Sequence, residues 1–496
     1  MIDKRIYFFT ALATTLVIAL TADGSQPNVL LIVSEDNGPE IGCYGDPYAR
    51  TPNIDRLAEE GILFRNAYVP QAGCSQSRAS FFTGLYPHQH GQIGLATWGF
   101  RLYHDTTPNL PRILKNNGYR TGLIGKLHIN PASAFPFDLH EISTANFQRN
   151  GLADYAKTAK EFIHASEKPF FLSVNYPDAH DPWIRQVDGL PQNPQNRDDV
   201  TPMAFMGVDS PAFRDLVADY YNCMSRLDSM IGDLLQILEE SGKGENTIVI
   251  YIGDHGADML RSKRTCYEGG LRIPMIMRWC GQVTPHICNK LVSTLDIMPT
   301  VLDATGVEQV AGLPGKTLQP LFHGQPVSWR EHFFAEYHTH AAAPNFFPQR
   351  CVRNGQYKLI ESLLPDTIHP DYEKTIAKLQ KDYDDQDYAG SFDIPAMIAS
   401  ALPEVRKAYA LMRQPPRFQL YDLQDDPYEF KNLADLPEYS NVLEDLKQRL
   451  TDWRLKTNDP LLDPEKLERL KQEVQLVKKK SDGKKHTWRY PEYLME

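Results

Sequence analysis

The segment Pro27–Ser34 (PNVLLIVS) is apolar almost without a break, and two carboxylates, Glu35 and Asp36, follow it at once. Such a run predicts a strand buried on both faces, as in a parallel sheet. Phe170–Tyr176 (FFLSVNY) has the same texture. So has Asn246–Gly256 (NTIVIYIGDHG), where Asp254 and His255 follow the apolar run. Between these runs the period changes. TPNIDRLAEEGILF predicts a helix with Pro52 near its first turn and Gly61 at its end. From Phe213 to Leu238 apolar residues recur at 216, 220, 224, 227, 231, 234 and 238, a helical spacing held over several turns. Buried strands alternating with amphipathic helices predict an α/β fold, with a mostly parallel central sheet flanked by helices. In such sheets the site lies beyond the carboxyl ends of the strands. Glu35, Asp36, Asp254 and His255 stand at such ends. Acidic residues after strands also cap helices, so neither pair marks a site by itself.

After about residue 345 the texture shifts. YKLIESL, FQLYDLQDDPYEFKNL and VLEDLKQRLTDWRLKTNDP predict short strands, a turn and a closing helix. This is a smaller C-terminal α+β domain with a short antiparallel sheet, and its basic tail (VKKKSDGKKH) reads as a solvated segment. At the other end, Lys4 and Arg5 precede the apolar stretch Ile6–Ala22. That pattern predicts a secretory signal peptide cleaved near Ala22 or Gly24; the run is at the short end for a spanning helix. The expected organisation is a signal peptide over 1–24, a large domain over 25–345 and the C-terminal subdomain over 346–496. The mature chain is then exported, to the periplasm or outside the cell.

Composition narrows the function classes. The chain is 42% hydrophobic and 23% charged, as in ordinary soluble proteins, and its formal net charge is 52 − 63 = −11. No nucleic-acid partner is expected of so acidic a chain. A polyanionic substrate in a local cationic pocket stays open. The seven cysteines show no zinc spacing, and their odd number leaves at least one unpaired. Whether Cys280 and Cys288 pair is left open.

Four clusters carry chemistry. GCSQSRASFFTG places Cys74 four residues before Arg78. At a helix N-terminus the backbone N–H groups favour an anion there, and Arg78 lies one turn on, within reach of it. GYRTGLIGKLHIN places Lys126 and His128 on one face if extended. A lysine suits an oxyanion, and a histidine suits proton transfer. DAHDP places Asp178, His180 and Asp181 just after a buried strand, and GDHGADMLRSKRTCYEGG carries Asp254, His255 and Lys263. Taken singly, each cluster is more often structural. Together they supply carboxylates for a hard cation, fixed positive charges, histidines and an unusual cysteine, which suits transfer of a tetrahedral sulfuryl or phosphoryl group.

Over nearly the whole mature chain, the segments LLIVSEDNG, CSQSRASFFTG, GYRTGLIGKLH, DAHDP, GDHG, YEGGLRIP and LYDLQDDPYEFKNLA occur in the order of a known family. The chain resembles the type I sulfatases of the alkaline-phosphatase superfamily. The resemblance implies an alkaline-phosphatase-like large domain and oxidation of Cys74 to formylglycine by a formylglycine-generating or sulfatase-maturating enzyme. One hydroxyl of the hydrated aldehyde attacks sulfur; the other then loses its proton and sulfate leaves. It further implies a divalent cation, usually Ca2+, held by Glu35, Asp36, Asp254 and His255 together with residue 74. Arg78 and Lys126 would steady the formylglycine, His128 would assist its proton transfers, Lys263 would contact sulfate, and His180 would protonate the leaving group. Three positions depart from the family pattern. Glu35 stands where aspartate is usual, His255 where many members have asparagine, and Gln76 where the modification motif has proline or alanine.

Within the family, SRASFFTGLYPHQHGQIG, IGKLHINPASAFPFD and WRLKTNDP resemble the heparan N-sulfatase branch. The implied substrate is an N-sulfated glucosamine, with Asp178, His338 and His340 as candidate substrate contacts. A homodimer is compatible with the resemblance. The competing functions are an exo-acting O-sulfatase on another glycan such as an algal polysaccharide, a phosphodiesterase or phosphonate hydrolase on the same scaffold, and a non-catalytic glycan-binding homologue.

Overall fold

The computed structural model describes residues 26–340, 345–480 and 492–494. The expected signal peptide and part of the basic tail lie outside the described residues. The apolar runs form the centre of a nine-stranded sheet. Its strands are β1 (Asn28–Ser34), β2 (Ile62–Tyr68), β3 (Arg120–Gly125), β4 (Leu139–Glu141), β5 (Phe170–Asn175), β6 (Thr247–Gly253), β7 (Arg272–Ile273), β8 (Met275–Arg278) and β9 (His286–Ser293). The order is β4-β3-β5-β1-β6-β8-β2-β7, with β9 on β2. From β4 to β6 every pairing is parallel; β8 then pairs antiparallel with both β6 and β2. All seven residues of β1 and of β6 are buried, which is why neither strand alternates polar with apolar.

Helices cover the sheet. The periodic segment forms a helix over Pro211–Glu240, with Ser210 capping its first turn by accepting from the Phe213 N–H. Near the middle of this helix, the Asp228 carboxylate accepts from the Asn53 and Ile54 N–H groups, at 2.9 and 2.8 Å. It serves as a cap in trans for α1 (Pro52–Glu59). The helix α2 (Cys74–Thr83) has all ten residues buried. A helix buried on every side shows no amphipathic period, so periodicity does not locate it.

A separate antiparallel sheet, β10 (Phe333–Tyr337), β11 (Gln349–Arg353), β12 (Tyr357–Ser362) and β13 (Phe418–Asp422), forms the smaller layer. β10 comes from upstream of the boundary expected at 345. The closing helix is Ser440–Lys456. All seven cysteines are free thiols, so Cys280 and Cys288 do not pair. No helix among the described residues is long and apolar enough to cross a membrane.

One polar anchor fixes the loop after β5. The Asp178 carboxylate is fully buried and accepts from Arg226 Nε and Nη2 at 2.7 and 2.8 Å and from Arg149 Nε at 2.9 Å. Both arginines are also fully buried. Asp178 was expected as a sugar contact; the structure instead commits both its oxygens to guanidiniums inside the protein. Burial works to raise its pKa, but Arg226 and then Arg149 hold it below the usual carboxylate range. Its stabilisation is therefore present above the ordinary carboxylate pKa and is lost as pH falls through the folded value. Asp178→Asn leaves two buried cations uncompensated. It should cost about 3 kcal/mol or more in urea unfolding at neutral pH, with the deficit shrinking in acid. A loss below about 1 kcal/mol, the level of an exposed pair, would contradict this anchoring.

Candidate active site

The parallel register places Ser34 opposite Gly253. Glu35–Asp36 and Asp254–His255 therefore leave the sheet side by side, and the Asp36 N–H donates to Asp254 Oδ1 at 3.0 Å. On the other side of β1, Val33 pairs with Asn175, and Asn175 pairs with Gly125 of β3. Lys126 and the loop carrying His180 thus emerge at the same edge. All four expected metal ligands on the strand ends are fully buried.

The helix α2 points its N-terminus at this edge. Gly73 is its N-cap, in extended conformation, and Cys74 is the first helical residue. Cys74 Sγ lies 3.3 Å from His255 Nε2 and 3.9 Å from Asp36 Oδ1. Burial pushes its thiol well above the ordinary range, with Lys263 only partly offsetting this. The thiol is thus neutral at physiological pH and a poor nucleophile. One turn on, Arg78 turns inward. Its Nη1 donates to Asn175 Oδ1 at 2.7 Å and to the Lys126 carbonyl at 3.0 Å, and its Nη2 lies 3.1 Å from Asp254 Oδ2. Lys126 pairs with Glu35 through Oε1, and burial lowers its ammonium pKa to about 7. Lys263 Nζ contacts both Asp36 oxygens, at 2.7 and 3.0 Å.

The donor set fits a divalent cation. Asp36, Cys74, Asp254 and His255 offer ligand atoms that all lie within 4.8 Å of one another, and so do Glu35, Asp36, Cys74 and His180. His255 Nδ1 lies 2.9 Å from the Gly256 carbonyl, which can only accept, so Nδ1 carries the proton. Burial lowers the pKa of this ring to about 4, so at neutral pH Nε2 presents a lone pair. That lone pair faces Asp36 Oδ1 at 3.2 Å. Two acceptors at this distance are held together only by a proton or a cation. Burial, with help from Asp258 and Asp254, raises the Asp36 pKa to about 7, the signature of a carboxylate set short of positive charge. Asp254 behaves oppositely: burial would raise it, but His255, Arg78 and Lys126 hold it near 2. Glu35 Oε2 has no hydrogen-bond partner.

The histidines divide. His180 stacks on Phe147 with ring centroids 4.1 Å apart. Its Nδ1 donates to the Asp181 carbonyl at 2.6 Å, and its Nε2 lies 3.7 Å from Asp36 Oδ2. Burial, then Lys263 and Lys126, push its pKa well below the ordinary value. His128 does not continue the strand as an extended Lys126–His128 face would require. β3 ends at Gly125, His128 adopts φ 57°, and its Nε2 pairs with Thr97 Oγ1 at 2.8 Å. His338, expected to face substrate, is buried, with Nε2 3.4 Å from Glu336 in a network that also holds His88 and Arg350. His340 is only half-buried. Burial and then Arg264 and Lys263 depress its pKa.

Three participants escaped the sequence. Asn175 is the last residue of β5 and binds Arg78; its place at a strand end was the available signal. Asp258 takes a two-pronged ion pair from Arg264 and lies 3.7 Å from Lys263. Lys378 comes from the helix Tyr372–Asp384 of the smaller part and reaches Asp181 at 3.3 Å and Asp258 at 3.5 Å. Nothing local in the sequence marks Lys378, because only the packing of the two parts brings it here.

Known proteins place this arrangement. The sulfatase family model matches residues 27–307, and a second model, described as N-sulphoglucosamine sulphohydrolase, C-terminal, matches residues 253–408. The chain is 29% identical to human N-sulphoglucosamine sulphohydrolase over 483 residues, spanning 87% of this chain and 91% of the relative. It is 26% identical to an ulvan-active sulfatase of Formosa agariphila over 458 residues, spanning 89% and 82%. Its fold is that of a solved structure of a protein in complex with its substrate D-glucosamine-2-N,6-O-disulfate, with a TM-score of 0.63, 19% identity and coverage of 88% of this chain and 99% of that one. The first match spans more than half of the chain and contains every residue of the cluster from Glu35 to Lys263; the chain belongs to the sulfatase family.

Proposed function

We propose that the chain is an exported hydrolase of a sulfated carbohydrate, acting on an N-sulfated glucosamine, with formylglycine at position 74 and a divalent cation as its working groups. The observation that carries this is the place of Cys74. Its thiol sits at the first position of a buried helix, within 4 Å of Asp36 and His255, and is held neutral by burial. A neutral buried thiol beside carboxylates has little use as a nucleophile, whereas a hydrated aldehyde there supplies one hydroxyl to accept the sulfuryl group and a second to expel it. Glu35, Asp36, Asp254 and His255 would hold the cation. It would supply positive charge to the sulfate oxygens and to the residue-74 hydroxyl. Calcium is the first expectation, although the imidazole of His255 also suits softer divalent ions.

The remaining steps belong to the chain's own side chains. Arg78, fixed by Asn175 and the Lys126 carbonyl, keeps a guanidinium against the strand-end carboxylates. Lys126 and Lys263 are ammoniums for the sulfate oxygens, preorganised by Glu35 and Asp36. A bound sulfate group would pair with both, removing the charges that help hold His180 neutral. Substrate binding would thereby raise the proton affinity of His180 and ready it to protonate the leaving amine. His128, aimed by Thr97, serves the hydroxyl proton transfers at residue 74. Maturation needs a formylglycine-generating or sulfatase-maturating partner that accepts Gln76.

The N-sulfated sugar is favoured by the human relative, which aligns along nearly its full length. An O-sulfated algal sugar is the second reading, favoured by the similarity to the ulvan-active sulfatase. Sulfate release from N-sulfoglucosamine, run beside 6-O-sulfated glucosamine and ulvan oligosaccharides, separates the two. Release from the O-sulfated sugars alone would reject the preferred substrate and keep the class. Mass spectrometry of the peptide containing Cys74 should show loss of the thiol and gain of an aldehyde. Unmodified cysteine in fully active protein would sink the formylglycine mechanism. Cys74→Ala should abolish turnover and leave the unfolding temperature nearly unchanged. Chelation should remove activity, and Asp254→Ala should reduce bound metal measured by elemental analysis; full metal content in that variant would contradict the assigned ligand set.

A further inference from the structure

Gln76 lies two residues past Cys74 and is fully buried. Its Nε2 donates to the Thr339 carbonyl at 2.6 Å and to the Ile93 carbonyl at 3.3 Å. Gln71, just upstream of the helix, sends its own Nε2 to the same Thr339 carbonyl at 3.3 Å. The next residue is His340, whose carbonyl accepts from the Leu95 N–H at 3.1 Å. Leu95 opens the turn Ala96–Trp98. The Ala96 N–H donates to Ser75 Oγ at 2.9 Å, and Asn130 Nδ2 holds the Ala96 carbonyl at 2.8 Å. Thr97 from this turn is the partner of His128. Residues 75 and 76 of the reactive helix therefore bind two loops, one carrying His340 and the other carrying Thr97, and these loops bind each other.

Each loop carries a polar side chain next to these contacts. Thr97 is exposed and touches His128; His340 is half-buried, directly follows the Thr339 carbonyl that Gln76 holds, and its Nδ1 has no hydrogen-bond partner among the described residues. We propose that Gln76 is a positioning residue: by holding the Thr339 carbonyl, its amide sets His340 and the Leu95–Gly99 turn as the two rims of a cleft over residue 74, where they contact the sugar rather than the sulfate. This rests on residue 74 being the reaction centre. It gives a physical reason for glutamine at a position where the related motif has proline or alanine. Either of those removes the shorter of the two bonds that Gln76 and Gln71 send to the Thr339 carbonyl. The rims then gain freedom that substrate binding must remove, which weakens ground-state and transition-state binding alike.

The test uses Gln76→Met, which keeps the length of the side chain and removes the donor, with His340→Ala and the double variant. Hydrogen exchange in peptides covering 93–100 and 335–340 should rise about tenfold in Gln76→Met, the effect of one lost hydrogen bond, while peptides from β1 and β6 stay unchanged. KM should rise about tenfold and kcat per converted residue 74 should stay within about twofold. KM does not depend on the fraction matured, so impaired maturation of the variant cannot imitate this result. The double variant should raise KM by less than the product of the two single effects, because part of what Gln76 does is done through His340. Unchanged exchange in the two loops overturns the inference. So does a fall in kcat with KM unchanged, or a double variant whose KM is the product of the two single effects. If the wild-type chain turns over no sulfated sugar, the proposed function fails. Exchange then decides by itself: a rise in both loops upholds the strut and no rise refutes it.

Discussion

The parallel pairing of β1 with β6 is the constraint on which the rest depends. It delivers Glu35, Asp36, Asp254 and His255 to one buried spot, and buried carboxylates cannot remain charged side by side without compensation. Much of the surrounding structure supplies that compensation. Arg78 comes from α2, which is buried end to end. Lys126 follows β3, which lies beyond β5, and Lys263 comes from the loop after β6. Even so, Asp36 is left with a pKa raised to about 7, and a neutral imidazole nitrogen faces its oxygen. The protein alone leaves this charge balance incomplete, which is the property a cation site and an anion-transfer site share.

This explains why stability and chemistry are kept apart in the loop after β5. Asp178 and His180 are two residues apart, yet Asp178 spends its charge on Arg149 and Arg226 inside the protein, while His180 keeps a ring nitrogen toward Asp36. The first fixes the loop so that the second can be placed. A similar division runs through α2. Cys74 and Arg78 face the cluster, and Ser75 and Gln76, between them, face the two loops above it. In a helix, neighbouring residues diverge by roughly a quarter turn or more, so one short segment faces both the carboxylate cluster and the two loops.

Much of this could be seen in the chain before it was folded. Continuous apolar runs ending in carboxylates located β1 and β6, because a strand covered on both faces leaves no room for polar alternation. The helical period located Pro211–Glu240. The motif around Cys74 pointed to the family. The errors have physical causes. Lys126 and His128 were read as one extended face, but the backbone turns at His128 with a positive φ. The resemblance implied substrate contacts at His338 and Asp178, but Asp178 is buried against Arg226, 48 residues on, and His338 lies buried beside Glu336.

What the sequence determined by itself was therefore the type of chemistry and the order of its parts, because strand ends, helix starts and reactive residue types are local properties. What only the tertiary structure decided was pairing. It joined Arg78 to Asn175 and Asp254, Lys378 to Asp181 and Asp258, and Gln76 to Thr339. These contacts join segments from 97 to 263 residues apart. Only the register of the sheet and the docking of the smaller layer bring such segments within hydrogen-bonding range.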